Sequence, residues 1–394
     1  MISVVDKYFS LNRTLLLIVG LWPYQKSKLA RLHSFCCISI IVTSIIFQFT
    51  TFVTTKCTTD HIIKIFALSS GISAFVIKYI SFCVNSNTIK NLMEQLQCIY
   101  DDLMDKNEIT IIDRYADIAK RYTITFTICL FCSVSVVTVT QLWPDFNNII
   151  LSANKSRSYR LQVSTEYFID QEKYYYLLLL HINLALNMGL TVLAATGLTL
   201  LAFLYHACGM FKISSYRIKN AIDIYISSIK LKNKSLVCKG LIYGVHIHRK
   251  AMMFSEYLIS RFEISFMFLI VVSVTNLSLN TFRLFQILSS SASTYNIEEL
   301  LITLISTGIC FIYMFLANFL GQEITDHYDL IFATAYKVQW YITPLYIQNF
   351  ILFLLLRGNK SFGLNVGGLF VASLPCFASL ANASLSFFIV MYSV

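Results

Sequence analysis

The stretch Ser361–Val394, SFGLNVGGLFVASLPCFASLANASLSFFIVMYSV, contains no Asp, Glu, Lys or Arg. Polarity and disorder usually collect at the termini of water-soluble chains, whereas this chain ends on the apolar run SLSFFIVMYSV. About 20 apolar residues in helical conformation span the hydrocarbon core of a bilayer. We therefore expect this segment to form a membrane-spanning helix.

The composition of the whole chain points to the same environment. It has 394 residues, of which 56% are hydrophobic and 13% charged, and its mean hydropathy is +0.65. This is more apolar surface than one soluble core of ordinary size can bury. Because the apolar runs are long rather than alternating, the sequence predicts an all-α membrane protein rather than a β-rich one.

Seven stretches are long and apolar enough to cross a bilayer. They are Ser34–Thr55, Ile62–Val84, Tyr122–Pro144, Tyr174–Phe211, Ile264–Phe282, Leu300–Gln322 and Ser361–Val394. The second contains Lys64 and Lys78. Both lie toward its ends, so we expect their long side chains to reach the lipid headgroups.

One further apolar run, Val338–Leu356, contains Pro344 and leaves too few residues after it for a crossing. Proline interrupts a helix but is well suited to its first position. The sequence therefore predicts a separate buried helix, Leu345–Arg357, with Pro344 as its first residue and Thr343 as its cap.

The distribution of lysine and arginine predicts the orientation. The N-terminal segment and the second, fourth and sixth loops carry 23 of these residues, against 5 in the other loops. Basic loops stay in the cytosol, so we expect a cytosolic N-terminus and an extracellular Val394. The most basic loop is predicted to run from His206 to Arg261. The net charge of +10 then reflects contact with anionic lipid and not with nucleic acid.

These features divide the chain into four regions. Residues 1–33 are predicted to form a cytosolic N-terminal arm, and residues 34–322 the first six membrane helices with their loops. Residues 323–360 are predicted to form a cytosolic helical anchor region, and residues 361–394 the last membrane helix.

No catalytic or metal-binding motif stands out. The sequence contains no H-E-x-x-H, no Walker loop and no G-x-S-x-G, and no pair of acids lies within a span. Cys129 and Cys132 form a C-x-x-C inside the third span without a second pair, which favours packing over metal binding. We therefore predict no enzyme, no cofactor and no metal. The sequon at Asn154 lies in a predicted outer loop and is a candidate for glycosylation.

Seven spans are also typical of G-protein-coupled receptors. The triplet Asp113–Tyr115 reads DRY, as in those receptors, but it precedes the third span instead of following it. The N-P-x-x-Y pattern is absent from the last span, and the loop charges favour the opposite orientation. We interpret the triplet as a solvated loop. A secondary transporter would show paired broken helices, which this sequence lacks.

The last part of the chain carries a more specific pattern. The stretch NFLGQEITDHYDLIFATAYKVQWYITPLYIQNFILFLLLRGNKSFGLNVGGLFVASLPCFASLANASLSFFIVMYSV (residues 318–394) and HACGMFKISSYRIKNAI (residues 206–222) resemble the insect odorant receptor family, with the closest likeness to receptors of ants and other Hymenoptera. A gustatory-receptor-like channel is the nearest alternative, but the T-Y-x-x-x-x-x-Q-F signature of those receptors is missing.

The resemblance implies a ligand-gated cation channel of four subunits in the plasma membrane of sensory neuron dendrites. The chain lacks the enlarged fourth loop of the obligate co-receptor, so it resembles a ligand-tuned subunit that joins the co-receptor in a heterotetramer. By resemblance, Val390 and Val394 form an apolar pore gate. Subunit contacts in the anchor region map to Trp340, Tyr346, Phe350 and Leu354, for which packing within the chain is an open alternative. For the two valines the alternative is packing against lipid or a neighbour.

The resemblance also places a ligand pocket among the second, third, fourth and sixth helices. Candidate residues recur every three or four positions, which puts each set on one helical face. They are Ser70 and Ser73; Cys132, Ser135 and Thr138; His181, Leu184 and Met188; and Ser306, Cys310 and Tyr313. Such a pocket would bind a small apolar molecule with one or two hydrogen bonds. Ordinary helix packing is the alternative for each residue.

Overall fold

The computed structural model describes residues 7–25, 27–55, 58–103, 105–150, 165–227, 234–289 and 297–393. Asn154 and Val394 lie outside these residues. The helices are α1 (Ser10–Ile18), α2 (Lys28–Phe49), the single turn α3 (Thr51–Thr54), α4 (Thr59–Val84), α5 (Ser86–Asp101), α6 (Lys106–Ile150), α7 (Tyr175–Ser227), α8 (Lys234–Ser289), α9 (Ile297–Lys337), α10 (Leu345–Arg357) and α11 (Leu374–Ser393). Two short strands, β1 (Asn365–Val366) and β2 (Phe370–Val371), pair in antiparallel fashion.

Seven helical segments in the described part of the chain are long and apolar enough to cross a membrane. They belong to α2 with α3, α4, α6, α7, α8, α9 and α11. This confirms the prediction of an all-α protein with seven spans, including the second span with its two lysines.

Four of these helices are much longer than a bilayer is thick. Helices α6, α7, α8 and α9 have 45, 53, 56 and 41 residues. At 1.5 Å per residue they reach about 60–85 Å, against a hydrocarbon core of about 30 Å. The basic segment His206–Arg261 is helical over its described residues, because these lie on long extensions of α7 and α8. Charge marks where a helix leaves the lipid and does not mark where it ends.

Helix α7 lies at the centre of the molecule and packs against α1, α2, α4, α6, α8 and α9. Its side chains are almost continuously buried from Val192 to Ile213. Thr196 and Thr199 donate their hydroxyl hydrogens to carbonyls of the preceding turn, at 2.8 and 2.6 Å. A helix that is apolar all round, with its few hydroxyls bonded to its own backbone, is suited to a buried position.

The N-terminal segment is part of this core. Leu15, Leu16 and Val19 are at most 2% exposed, and the ring of Phe9 lies 5.6 Å from that of Phe203 in α7. The hydroxyl of Tyr79 in α4 donates to the Val19 carbonyl at 3.0 Å. Residues 7–25 of the predicted N-terminal arm are therefore docked onto the helix bundle.

The Asp113–Tyr115 triplet lies within α6, so its interpretation as a loop was wrong. Asp113 accepts hydrogen bonds from Lys7, at 3.2 Å, and from the hydroxyl of Tyr8. Burial, together with the bond to Asp113, raises the pKa of Tyr8 above its ordinary value, so the hydroxyl stays protonated and donates. The hydroxyl of Tyr115 lies 2.7 Å from His327 in α9. The triplet thus ties α6 to the N-terminal segment and to α9.

The segment before the last helix differs from the prediction. Helix α11 begins at Leu374, and residues 365–371 form a β-hairpin. Gly367, Gly368 and Leu369 form its three-residue turn, and the two glycines have φ of +65° and +69°, a left-handed conformation that glycine adopts without steric cost. Left-handed residues end any helix. The last helix is therefore shorter than the charge-free stretch Ser361–Val394 from which it was predicted.

Helix α10 exists over the predicted residues, but its N-terminus differs. Pro344 has an extended conformation and stands at the capping position, one residue before the helix begins. The hydroxyl of Thr343 donates to the Trp340 carbonyl, so it stabilises the preceding turn and not α10. The helix is also only partly buried: Ile347, Ile351 and Leu354 face the core, whereas Phe353 is 76% exposed.

Candidate ligand cavity

A cavity of about 180 Å³ lies among six helices. Its wall is formed by residues of α2 (Ser44, Gln48), α4 (Leu68, Ser70, Gly71, Ile72, Ala74, Phe75), α6 (Ser133, Val134, Val137, Gln141), α7 (Ile182, Asn183, Ala185, Leu186, Leu190, Leu193), α8 (Val272, Ser273, Asn276) and α9 (Ile302, Ile305, Ser306, Ile309, Cys310, Tyr313), with Thr165 from the segment before α7. The wall is mostly aliphatic and carries a few separate polar groups. Such a surface binds small apolar molecules by shape and dispersion.

One polar group in the wall is the amide of Asn276, which is 4% exposed. Its nitrogen donates to the Ser70 hydroxyl at 2.9 Å and to the Ala67 carbonyl at 3.0 Å. The hydroxyl of Ser70 in turn donates to the same carbonyl at 3.0 Å. These bonds join α8 to α4 at the cavity surface and fix the orientation of the amide.

A second polar group joins α7 to α6. The nitrogen of Asn183 donates to Gln141 Oε1 at 2.9 Å, and the hydroxyl of Thr138 donates to Asn183 Oδ1 at 3.3 Å. Both ends of the Asn183 amide are therefore held by neighbouring side chains. Because buried amides need partners, this pair holds the two helices in a defined register.

Gln48 is the exception among these amides. It is 3% exposed and lies in the cavity wall, yet its Oε1 atom has no hydrogen-bond partner in the described part of the chain. An unsatisfied buried acceptor is unfavourable unless a bound molecule donates to it. The atom is thus a ready acceptor for a ligand hydroxyl or a water.

An ion-pair cluster stands one turn before the cavity residue Ile302. Glu299 accepts a hydrogen bond from Arg283 at 2.7 Å and pairs with Lys64 at 3.1 Å. These residues come from α9, α8 and α4, so one carboxylate connects three of the six helices around the cavity. Arg283 is 5% exposed, which makes its partner necessary.

Four of the eleven residues predicted for a ligand pocket lie in the cavity wall: Ser70, Ser306, Cys310 and Tyr313. In α9 the predicted face is the face that lines the cavity. The thiol of Cys310 lies 3.5 Å from the Ser273 carbonyl of α8, so this face also packs against α8.

The remaining seven residues lie elsewhere. Cys132 and Ser135 are exposed on the outer surface of α6, and Leu184 is 41% exposed on α7. Ser73 donates to the Ser69 carbonyl at 2.7 Å, and Thr138 supports Asn183 from behind the wall. Met188 is half-buried and packs against the core. The two ring nitrogens of His181 are both in hydrogen bonds: Nδ1 lies 2.8 Å from the Tyr167 hydroxyl, and Nε2 lies 3.1 Å from the Thr43 hydroxyl.

In α6 and α7 the residues that line the cavity are offset by about one position from the predicted ones. In α6 the wall is formed by Ser133, Val134, Val137 and Gln141, next to the predicted Cys132, Ser135 and Thr138. The sequence contained a signal that was not used, since Gln48, Gln141, Asn183 and Asn276 are amides inside apolar spans. Polar side chains at such depth almost always face the bundle interior.

The predicted gate and subunit contacts have different surroundings. Val390 is 59% exposed on α11, and Val394 lies outside the described residues. Tyr346 is 40% exposed, while Trp340 and Phe350 are half-buried and pack against the core. Leu354 is 7% exposed and belongs to the chain's own core, so it is not free to contact another subunit.

Comparison with protein families decides the identity of this fold. The model of the 7tm Odorant receptor family matches residues 58–385. The chain belongs to this odorant receptor family. The receptor resembles two solved structures of the insect olfactory receptor OR5 from Machilis hrabei. The complex of OR5 with eugenol has a TM-score of 0.80 and 15% identity, with coverage of 100% of this chain and 99% of the other.

The second OR5 structure has a TM-score of 0.77 and 16% identity, with coverage of 99% of this chain and 98% of the other. No curated protein matches the chain. Family membership confirms the resemblance seen in the sequence and the prediction that the chain is a receptor and not an enzyme.

Proposed function

We propose that the receptor is a ligand-tuned subunit of an odorant-gated cation channel, which opens its pore together with a co-receptor subunit in the plasma membrane. The observation that carries this proposal is the apolar cavity among six helices, one of which, α9, also contacts the last helix. Helix α9 thus forms part of the cavity wall and also contacts α11, the candidate pore helix.

The cavity suits a small and mostly apolar odorant. Its volume of about 180 Å³ is below the 300–1,000 Å³ typical of sites for drug-sized ligands. The orphan Oε1 of Gln48 favours a ligand with one hydroxyl or other hydrogen-bond donor, while Asn276 and Asn183 are already occupied by protein partners. The OR5 relative has been solved with eugenol, which supports the same class of ligand here.

The last helix has the surface expected of a pore helix. Of its residues only Leu380 and Ser384 are buried, and the Ser278 hydroxyl of α8 donates to the Ser384 carbonyl at 3.0 Å. Val390 projects from the exposed side, and Val394 follows four positions later in the sequence. We assign both to an apolar ring that closes the pore by excluding water and opens when it widens.

Helix α9 provides the connection between ligand and gate. Tyr313 lines the cavity, and the next residue, Met314, packs with Leu380 of α11 and Leu277 of α8. The rings of Phe311 and Phe315 contact the ring of Phe377 in α11, with centroid distances of 5.2 and 5.4 Å. A ligand that binds more tightly when α9 is displaced would therefore favour a displaced α11, and only such differential affinity opens a channel.

Subunit contact is proposed for the exposed side of α10. Tyr346 and Phe353 are 40% and 76% exposed there, and Trp340 and Phe350 lie beside them at the edge of the core. Phe353 replaces Leu354 in the predicted set. Apolar side chains at this density on one short helix are typical of an interface.

The test is electrical recording from cells that express the receptor with a co-receptor during exposure to a panel of small volatiles. We expect a ligand-evoked cation current that Ser306→Trp abolishes without loss of surface protein, because the indole fills the cavity. Val390→Asn should raise the basal current, whereas the exposed Leu385→Asn on α11 should not. Ligand binding without current in every subunit combination would contradict the channel proposal.

A further inference from the structure

A second cavity of about 290 Å³ lies on the other side of Tyr313. It is bounded by α4, α6, α7, α8 and α9, by the β-hairpin and by the start of α11. Leu201, Phe266, Leu364 and Phe370 are representative of its wall, which is almost entirely apolar. The two cavities are neighbours, because five residues line both of them: Ser133, Leu193, Ser273, Ile309 and Tyr313.

The one charged side chain in this wall, over the described residues, is that of Lys78 of α4, which is 3% exposed. It was predicted to reach the lipid headgroups, but its burial contradicts that expectation. In the part of the chain that the structure describes, its ammonium has neither a hydrogen bond nor an ion pair. The Nζ atom lies over the rings of Tyr313 and Phe266, at 5.0 and 5.6 Å from their centroids.

This environment distinguishes Lys78 from the other lysine of α4. Lys64 is paired with Glu299 at 3.1 Å and is partly exposed. An ammonium removed from water needs an anion or several acceptors, and two aromatic faces compensate for only part of the lost hydration. An ionisable side chain that is unpartnered inside a membrane bundle typically marks a site for an ion or ligand.

We propose that this second cavity binds a single-chain carboxylic acid, with its carboxylate on the Lys78 ammonium and its alkyl chain along the apolar wall. The carboxylate supplies the acceptor that Lys78 lacks, in the form of a charge-assisted hydrogen bond. At about 30 Å³ for a water-sized group, the volume holds about ten such groups. A medium-length chain fits, whereas a two-chain phospholipid does not.

This second cavity, the acid site, is distinct from the first cavity, in which we propose that odorants bind and which we call the odorant cavity. The acid site does not depend on the channel proposal. Lys78 is absent from the wall of the odorant cavity, and Gln48, Asn183 and Asn276 are absent from the wall of the acid site. The two sites therefore select different chemistry, a neutral molecule in one and an anionic amphiphile in the other.

The test uses the purified full-length receptor in nanodiscs and a decanoic acid that carries a photoreactive diazirine. We expect label on peptides of α7 and α9 that line the second cavity, with competition by decanoate. Decanol should compete at least about tenfold less well, since it lacks the charge. Lys78→Met should weaken labelling about tenfold or more, whereas Lys219→Met, at an exposed lysine of α7 that lines neither cavity, should leave it unchanged.

A second variant separates binding from folding. Ala194 lines this cavity but not the odorant cavity, so Ala194→Leu should reduce labelling by filling space while Lys78 remains. Equal competition by decanol and decanoate in the unmodified receptor would overturn the proposal without any variant. Competition by phosphatidylserine but not by decanoate would also overturn it, because the source of the anion would then be a membrane lipid.

Discussion

Single amide side chains connect the helices around the odorant cavity. Asn276 is the clearest case, because both of its hydrogen-bond acceptors, Ser70 and the Ala67 carbonyl, lie on α4. Asn276→Ala should lower the stability of the purified receptor by about 0.5–2 kcal/mol, the range for hydrogen bonds between membrane helices. Thermal unfolding in detergent measures this change.

A double-mutant cycle provides the control for that prediction. If the bond between the Asn276 amide and the Ser70 hydroxyl contributes to stability, the loss in Asn276→Ala combined with Ser70→Ala should be smaller than the sum of the two single losses. Strict additivity would show that Asn276 acts through its backbone contact or its packing and not through Ser70.

The carboxylate of Glu299 is expected to matter more than an ordinary surface charge. Glu299→Gln removes the partner of Arg283, which is 5% exposed, and also the partner of Lys64. We expect a loss of about 1–3 kcal/mol, since the guanidinium would stay buried without its counter-charge. The apparent melting temperature reports the change.

The matched control for Glu299 is Glu94, whose partner Lys90 lies one turn away on α5, with both side chains at least 36% exposed. Glu94→Gln should change stability by less than about 0.5 kcal/mol. Equal effects of the two substitutions would mean that the cluster around Glu299 is as weakly coupled as a solvated surface pair.

The residues of the site were only partly predictable from sequence. Spacing identified the inner face of α9 because Ser306, Cys310 and Tyr313 are its polar positions. In α6 and α7 small polar residues occur on several faces, and a hydroxyl such as that of Ser135 is satisfied by its own helix, here the Phe131 carbonyl at 2.9 Å. Such residues tolerate lipid, whereas amides do not, so the amides were the better guide.

At the scale of elements, the β-hairpin positions the start of the last helix. A Cβ atom added at Gly368 would meet no other atom within 4 Å, so Gly368→Ala tests backbone conformation alone and should cost about 1–2 kcal/mol. Gly367→Ala should cost more, because the added carbon would lie 2.7 Å from the sulfur of Met267 in α8. Thermal stability of the purified variants measures both.

Asparagine gives the control for the hairpin. It tolerates the left-handed conformation better than other residues, so Gly368→Asn should stay closer to the unmodified receptor than Gly368→Ala does. If all three variants melt together with the unmodified receptor, the turn does not determine the stability of this region.

The spans were predictable because length and hydropathy suffice to recognise a helix in lipid. The residues at which the helices begin and end were not predictable in this way. Helices α7 and α8 continue past the lipid with charged residues on their surfaces, and α11 begins thirteen residues after the charge-free stretch does. Charge reports the boundary of the membrane, while glycine conformation and tertiary packing decide where a helix stops.

At the scale of the whole molecule, a bundle that holds two cavities is followed by a short helix, α10, that leaves several apolar side chains exposed. The long helices of the bundle include α9, which also contacts α10. Beside them α10 buries Ile347, Ile351 and Leu354 and leaves Phe353 and Leu356 exposed at 76% and 67%. Because these side chains lie outside the seven spans, we expect another subunit and not lipid to cover them.

This expectation leads to a prediction about assembly. Phe353→Asp places a charge in the proposed interface without disturbing the chain's own core. A central aromatic contact contributes about 2 kcal/mol or more to an interface, so association should weaken about thirtyfold. Ile242→Asp, at a residue 55% exposed on α8, is the matched control and should leave assembly unchanged. Size-exclusion chromatography of co-expressed subunits distinguishes the two, and a Phe353→Asp receptor that still elutes as the full assembly would place the interface on another surface.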